Sequence, residues 1–174
     1  AGLHLWWTWR NLRGVHGELV LPRTARAGEP LRVQVRVHAG ECVRHLLVCD
    51  THDSLLLFTD SGKVFSLKTY EVPEGSRTAR GIPVVNLVSM EAGDRVTAVV
   101  AVNDFGRDSM LMVTERGIVK RTPLKEFESV RKPGLIAMRL DDGDRLVEAR
   151  PASETTDAII VSSDGQAMRF RAGI

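Results

Sequence analysis

A hairpin pattern that occurs three times constrains this chain more than any other feature of its sequence. Each copy is a short apolar run, a turn that contains a glycine, and a second run rich in apolar residues; the copies span residues 55–67, 110–121 and 158–170. Gly62, Gly117 and Gly165 supply the positive φ that a tight turn needs, so each pair of runs predicts a β-hairpin. The glycines recur about every 50 residues, a period in the range of propeller blades.

A second repeated unit precedes each hairpin, and basic connectors follow the first two. Turns at Gly40, Gly93 and Gly143 each lead into a run of β-forming residues, and connectors at residues 70–88 and 123–140 return to the next turn. Each module of about 50 residues thus predicts roughly four strands. The expected fold is all-β, a propeller-like repeat with two full modules and part of another. Open β edges are expected, because so few modules cannot close a ring.

Residues 1–40 fit this pattern poorly. They contain a tryptophan-rich start and no sustained helical or strand period, apart from an alternating stretch at residues 32–38 that predicts one strand. We therefore divide the chain into an atypical segment, 1–40, that is divergent or disordered, and a repeat domain, 41–174. The tryptophans would stack on bases if the segment folds, the alternative being a buried or disordered terminus.

Charge is unevenly distributed along the chain. The net charge is only +2, but residues 1–40 carry six Arg against two Glu, whereas residues 41–174 carry 18 basic and 20 acidic side chains. Within that second part, residues 117–140 hold six cations and two acids. Such a basic stripe would suit a phosphate backbone; the alternative is ordinary solvated loop charge.

Many of these cations occupy corresponding places in successive modules. Pairs of cations lie in the connectors, and others lie just after the hairpin turns. Stacked modules would align them along one rim, although each residue alone is better explained as solvated surface. The predicted DNA-contacting residues are Lys63, Lys68, Arg77, Arg80, Lys120, Arg121, Lys125, Arg131, Lys132, Arg169 and Arg171.

No catalytic or metal site is predicted. Cys42, His45, Cys49 and His52 match no common zinc spacing, and no Walker-type phosphate loop is present. No apolar run approaches the ~18 residues of a membrane helix. Two cysteines make no disulfide framework, which fits a reducing compartment and predicts a cytoplasmic location.

Residues 51–88 resemble a blade of the C-terminal domain of DNA gyrase A subunits, and residues 111–127 resemble the blade that follows. The likeness begins near Val43 and rests on features in register: the THD before the first hairpin, the SGKVFSLK strand, the R-x-x-R-G connector and the IPVVNL run. It implies a β-pinwheel, a six-bladed relative of the propeller that wraps duplex DNA around a basic outer rim.

The resemblance also implies a function and partners. These are sequence-nonspecific binding and wrapping of double-stranded DNA within a bacterial type II topoisomerase, in support of ATP-dependent negative supercoiling. The implied partners are double-stranded DNA, the remainder of the gyrase A subunit and the gyrase B subunit. The two kinds of subunit would form an A2B2 assembly. ATP and Mg²⁺ are implied for the holoenzyme, with no cofactor and no catalytic residue expected in this segment.

One family feature is missing from its expected place. A basic box of the form Q-R-R-G-G-R-G does not stand in residues 1–40. A divergent first blade or a shifted reading frame would each account for this. Topoisomerase IV A subunits have related blades and often a degenerate box, so a domain that steers crossover geometry is one alternative. A propeller-like protein-interaction module is another.

Overall fold

The computed structural model describes residues 15–20, 32–39, 42–73, 82–91 and 93–173, with side chains from residue 45 onward. These residues form strands and three short 3-10 helices, and they contain no α-helix. The strands are β1 Val15–Val20, β2 Arg32–Ala39, β3 Cys42–Asp50, β4 Ser54–Thr59, β5 Lys63–Lys68, β6 Val96–Val102, β7 Ser109–Thr114, β8 Val119–Pro123, β9 Leu135–Ile136, β10 Leu146–Ala152, β11 Asp157–Val161 and β12 Ala167–Arg171. The 3-10 helices are η1 Thr69–Glu71, η2 Val84–Asn86 and η3 Leu124–Phe127.

The strands form four sheets, ordered β1-β2-β3, β6-β4-β5-β9, β10-β7-β8 and β11-β12, in which all pairing is antiparallel. The predicted hairpins are β4–β5, β7–β8 and β11–β12. The all-β, blade-like repeat predicted from the sequence is therefore confirmed.

The turns of the three hairpins are equivalent, as predicted. Gly62, Gly117 and Gly165 have φ of +78°, +83° and +79°. Their N–H groups donate to carbonyls three residues earlier, at 3.0, 3.0 and 3.1 Å. Alanine at such a φ would bring its Cβ against the following carbonyl, which is why glycine stands at each bend.

The two middle sheets each collect strands from two consecutive modules. The strand that follows the turn at Gly93 is β6, and it pairs with β4 of the hairpin before it; β10 pairs with β7 in the same way. The short strand β9 comes from the connector after β8 and returns to pair with β5. One sequence module therefore does not equal one sheet, a point the repeat alone did not reveal.

The first sheet follows a different order. Here β3 pairs with β2, the second strand of the preceding pair, rather than with the first. Strand β2 confirms the single strand predicted at residues 32–38. The division of the chain at residue 40 stays a prediction.

Two apolar cores lie between successive sheets. Alternation along β4 sends Leu55 and Leu57 to a core shared with β3 and η2, and Leu56 and Phe58 to a core shared with the third sheet. All six residues of β4 are buried, because this strand lies in the middle of its sheet and is covered on both faces. Fully burying one such side chain contributes about 1.5–3 kcal/mol.

Candidate nucleic-acid interface

The stacking of the sheets distinguishes an inner edge from an outer edge. Strand β6 contacts both β3 and β10, the corresponding strands of the neighbouring sheets. These strands therefore lie where the sheets converge. The order β6-β4-β5-β9 places β9 at the opposite edge. Residues 124–139, which contain η3 and this edge strand β9, are called the outer connector.

The outer connector carries exposed cations that form no ion pair with any acidic side chain in the part of the chain that the structure describes. Lys125, Arg131, Lys132 and Arg139 are all exposed. Within the described ranges, none of the four takes part in an ion pair. Lys125, Arg131 and Lys132 belong to the predicted set, whereas Arg139 does not. Uncompensated cations on an exposed edge are free to bind phosphate oxygens.

Three predicted cations in the hairpins are instead paired with acids. Arg121 lies 3.3 Å from Glu154. On the last hairpin, Arg169 and Arg171 both pair with Asp157, at 2.6 and 3.8 Å. The hydrogen bond from Arg169 lowers the pKa of Asp157 below its ordinary value, and the nearby charges of both arginines add to this.

A fourth predicted cation, Lys63, also has an acidic partner. Its Nζ donates to the carboxylate of Glu91, in the turn before β6. This hydrogen bond raises the pKa of Lys63, with burial acting against it. No other hairpin has a cation at the corresponding place, where Ile118 and Gln166 stand. Lys63 therefore fits the predicted row less well than the connector cations do.

Lys68 and Lys120 bond to uncharged groups. Lys68 Nζ lies 2.8 Å from Ser54 Oγ on the neighbouring strand β4. Lys120 Nζ donates to the carbonyl of Ala137, at 2.8 Å, and so ties β8 to the outer connector. Neither side chain forms an ion pair within the described part of the chain, and both are exposed and available for a phosphate.

The hairpin cations share positions only in part. Arg121 and Arg169 are each the fourth residue after their turn glycine, and Lys68 and Arg171 are each the sixth. The remaining members of the predicted set, Arg77 and Arg80, lie outside the described residues. The whole predicted set stays a prediction, with the connector cations its best-placed members.

The sequence interpretation missed an apolar feature of the same edge. Leu135 and Ile136 form β9 and are 44% and 60% exposed. The next two residues, Ala137 and Met138, are buried at 3% and 4%. The sequence signal for this exposed apolar pair is its position directly after Arg131, Lys132 and Gly134.

The described residues show no metal or membrane feature. Among them, no group of three or more His, Cys, Asp or Glu side chains could hold a metal ion. Cys49 is buried and lies 3.8 Å from Thr69 Oγ1, and burial raises the pKa of its thiol. No helix in the described ranges is long and apolar enough to cross a membrane.

Three comparisons bear on the family. A model of the DNA gyrase C-terminal domain, beta-propeller, matches residues 53–103 and 108–153. The DNA gyrase A protein of Dehalogenimonas lykanthroporepellens is 40% identical over 147 residues, which are 83% of this chain and 18% of the relative. That of Mycolicibacterium smegmatis is 40% identical over 133 residues, 76% of this chain and 16% of the relative. The chain thus spans less than a fifth of the curated relatives it matches.

Solved structures agree with this match. A C-terminal domain of DNA topoisomerase IV superposes with a TM-score of 0.67 at 26% identity, covering 74% of this chain and 41% of that one. A DNA gyrase A C-terminal domain superposes with a TM-score of 0.60 at 19% identity, covering 93% of this chain and 48% of that one, and this second likeness shows the fold alone. Because the family model covers more than half of the residues, the chain belongs to the family of DNA gyrase C-terminal, β-propeller domains.

Proposed function

We propose that this chain binds duplex DNA without sequence specificity along its outer edge and forms the DNA-wrapping part of a DNA gyrase A subunit. The observation that carries the proposal is the outer connector, where exposed cations have no acidic partner among the described residues. Wrapping needs a curved row of phosphate contacts and no reading of base edges. A cation already paired with an acid gains less from a phosphate, so the connector should dominate affinity.

The proposal extends to the assembly. The chain would act with gyrase B, together with the rest of a gyrase A subunit, in the bacterial cytoplasm and in support of ATP-dependent negative supercoiling. The described residues hold no group of three or more His, Cys, Asp or Glu side chains that could bind Mg²⁺. The chain's own contribution is to hold and bend the duplex.

Salt titration of duplex binding tests the proposal. Arg131→Glu combined with Lys132→Glu should weaken binding. It should also make the negative slope of log K against log salt shallower by about 2, since each phosphate contact contributes about −0.9 to that slope. Arg107→Glu is the control for a change of surface charge, because Arg107 is exposed and already pairs with Asp104 at 3.2 Å. An unchanged slope in the double variant would refute the role of the connector.

A second candidate is a topoisomerase IV A-subunit domain that steers crossover geometry, and the likeness to a solved domain of that enzyme favours it. A shift in the linking number of relaxed plasmid, after the bound circle is closed by ligase, separates the two. Wrapping requires the linking number to shift always in the same direction, whereas DNA binding without a change in linking number supports the second candidate. If no salt-dependent binding occurs at all, a protein-interaction module is the better explanation.

A further inference from the structure

An exposed isoleucine stands among the cations of the outer edge. Ile136 is 60% exposed and lies opposite Lys63 in the pairing of β9 with β5. The next residue along the chain, Ala137, accepts a hydrogen bond from Lys120. Arg131 and Lys132 precede Ile136 closely, and Arg139 follows it. An exposed apolar side chain thus lies on the edge strand of its sheet, opposite Lys63, which is paired with Glu91, and within a few residues of three further cations.

The position of Ile136 is rigidly held. The N–H groups of Ala137 and Met138 both donate to the carbonyl of Gly62, at 2.9 and 3.1 Å. On the other side, Gly134 has φ of +83°, and a Cβ there would come within 2.7 Å of the ring of Phe65. The chain is therefore pressed against the sheet immediately before and immediately after β9. A side chain on such a support enters a partner without a large loss of conformational entropy.

The surroundings favour a nucleic acid over another protein strand as the occupant. An open strand edge with cations around it repels the addition of a further β-strand, which is how natural sheets protect their edges. The same cations attract a polyanion. An apolar side chain beside phosphate-binding cations is the arrangement with which DNA-bending proteins enter a minor groove and unstack a base step. In the preceding connector, Ile82 follows its glycine as Leu135 does and is 37% exposed.

We propose that Ile136 is a wedge that enters the minor groove of the bound duplex and concentrates its bend at one base step. The inference rests on the proposed function and adds to it a preference for deformable sequence. Pyrimidine–purine steps such as TA unstack readily, whereas A-tracts are stiff. A chain that contacts phosphates alone would bend both with less discrimination.

The test uses two duplexes of equal length, one with a central TA step and one with a central A-tract, each labelled at both ends for energy transfer. The wild-type chain should bind the TA duplex about fivefold more tightly and shorten its end-to-end distance more. Ile136→Thr should lose both preferences while keeping the salt slope, because no phosphate contact is removed. Ile136→Leu, which keeps the apolar bulk, should retain both.

The matched control is Ile159→Thr, since Ile159 is also 60% exposed but lies on β11, in a different sheet from β9. Preferences that persist in Ile136→Thr, or that disappear equally in Ile159→Thr, overturn the wedge while the proposed function stands. If the wild-type chain binds neither duplex at low salt, the proposed function fails, and the wedge fails with it. Urea unfolding of each variant confirms that the fold is intact.

Discussion

Replacement of the turn glycines by alanine separates a local cost from a long-range one. Gly62, Gly117 and Gly165 have nearly the same φ, so alanine at each position costs about 1–2 kcal/mol of strain. Only Gly62 lies beneath another segment: a Cβ there would approach the carbonyl oxygen of Met138 well inside 3.0 Å. That approach must displace the outer connector, together with its two hydrogen bonds to the Gly62 carbonyl.

The magnitude follows from these contacts. Each of the two hydrogen bonds contributes about 0.5–1.5 kcal/mol net. Added to the strain, their loss gives about 2–5 kcal/mol for Gly62→Ala, against about 1–2 kcal/mol for Gly117→Ala, whose Cβ meets nothing within 4 Å. Urea unfolding of the two variants and the wild type measures both free energies. Equal losses at the two glycines would refute the inference that the contact of the outer connector with Gly62 stabilises the fold.

Three further predictions concern the core and the pH dependence of stability. Phe127→Ala should lower the free energy of unfolding by about 3–5 kcal/mol, because Phe127 is 1% exposed and packs edge-to-face on Phe58 at 5.8 Å. Burial raises the pKa of Glu148 in the folded state. Ionisation of this carboxyl group therefore destabilises the fold as pH rises through that pKa. Glu148→Gln should stabilise the chain at pH 7, and this advantage should disappear in acid, where Glu148 is protonated. Arg169 lowers the pKa of Asp157, so Asp157→Asn should destabilise the chain at neutral pH, with the loss disappearing as pH falls through the folded-state pKa.

Each of these has a contradicting outcome. If Phe127→Ala lowers the free energy of unfolding by less than about 1 kcal/mol, the core between β4 and the third sheet is not packed as described. Tyr70→Ala is the control, because the side chain of Tyr70 is 63% exposed. For the two carboxylates, unfolding midpoints measured from pH 3 to pH 8 suffice. Differences from wild type that stay constant over this range would exclude ionisation as their cause.

The cations show how far the sequence could predict the site. Their presence in the connector between η3 and β9 was evident from composition, and the structure leaves Arg131 and Lys132 exposed there. The hairpin cations looked equally suitable in the sequence. Arg169 nevertheless meets Asp157 across the β11–β12 pair, a contact set by strand register. Such register follows from the burial of whole faces and cannot be read from the cation itself.

The sequence alone determined the hairpins, because a glycine turn between two β-forming runs is a local choice made within about fifteen residues. It also determined the repeat and, through the repeat, the all-β fold and the family. Only the tertiary structure decided which strands share a sheet: β6 joins β4 and β9 joins β5 across many intervening residues. The physical reason is that these pairings depend on burying apolar faces between sheets and on hydrogen bonds to the Gly62 carbonyl, interactions that exist only once distant segments have packed together.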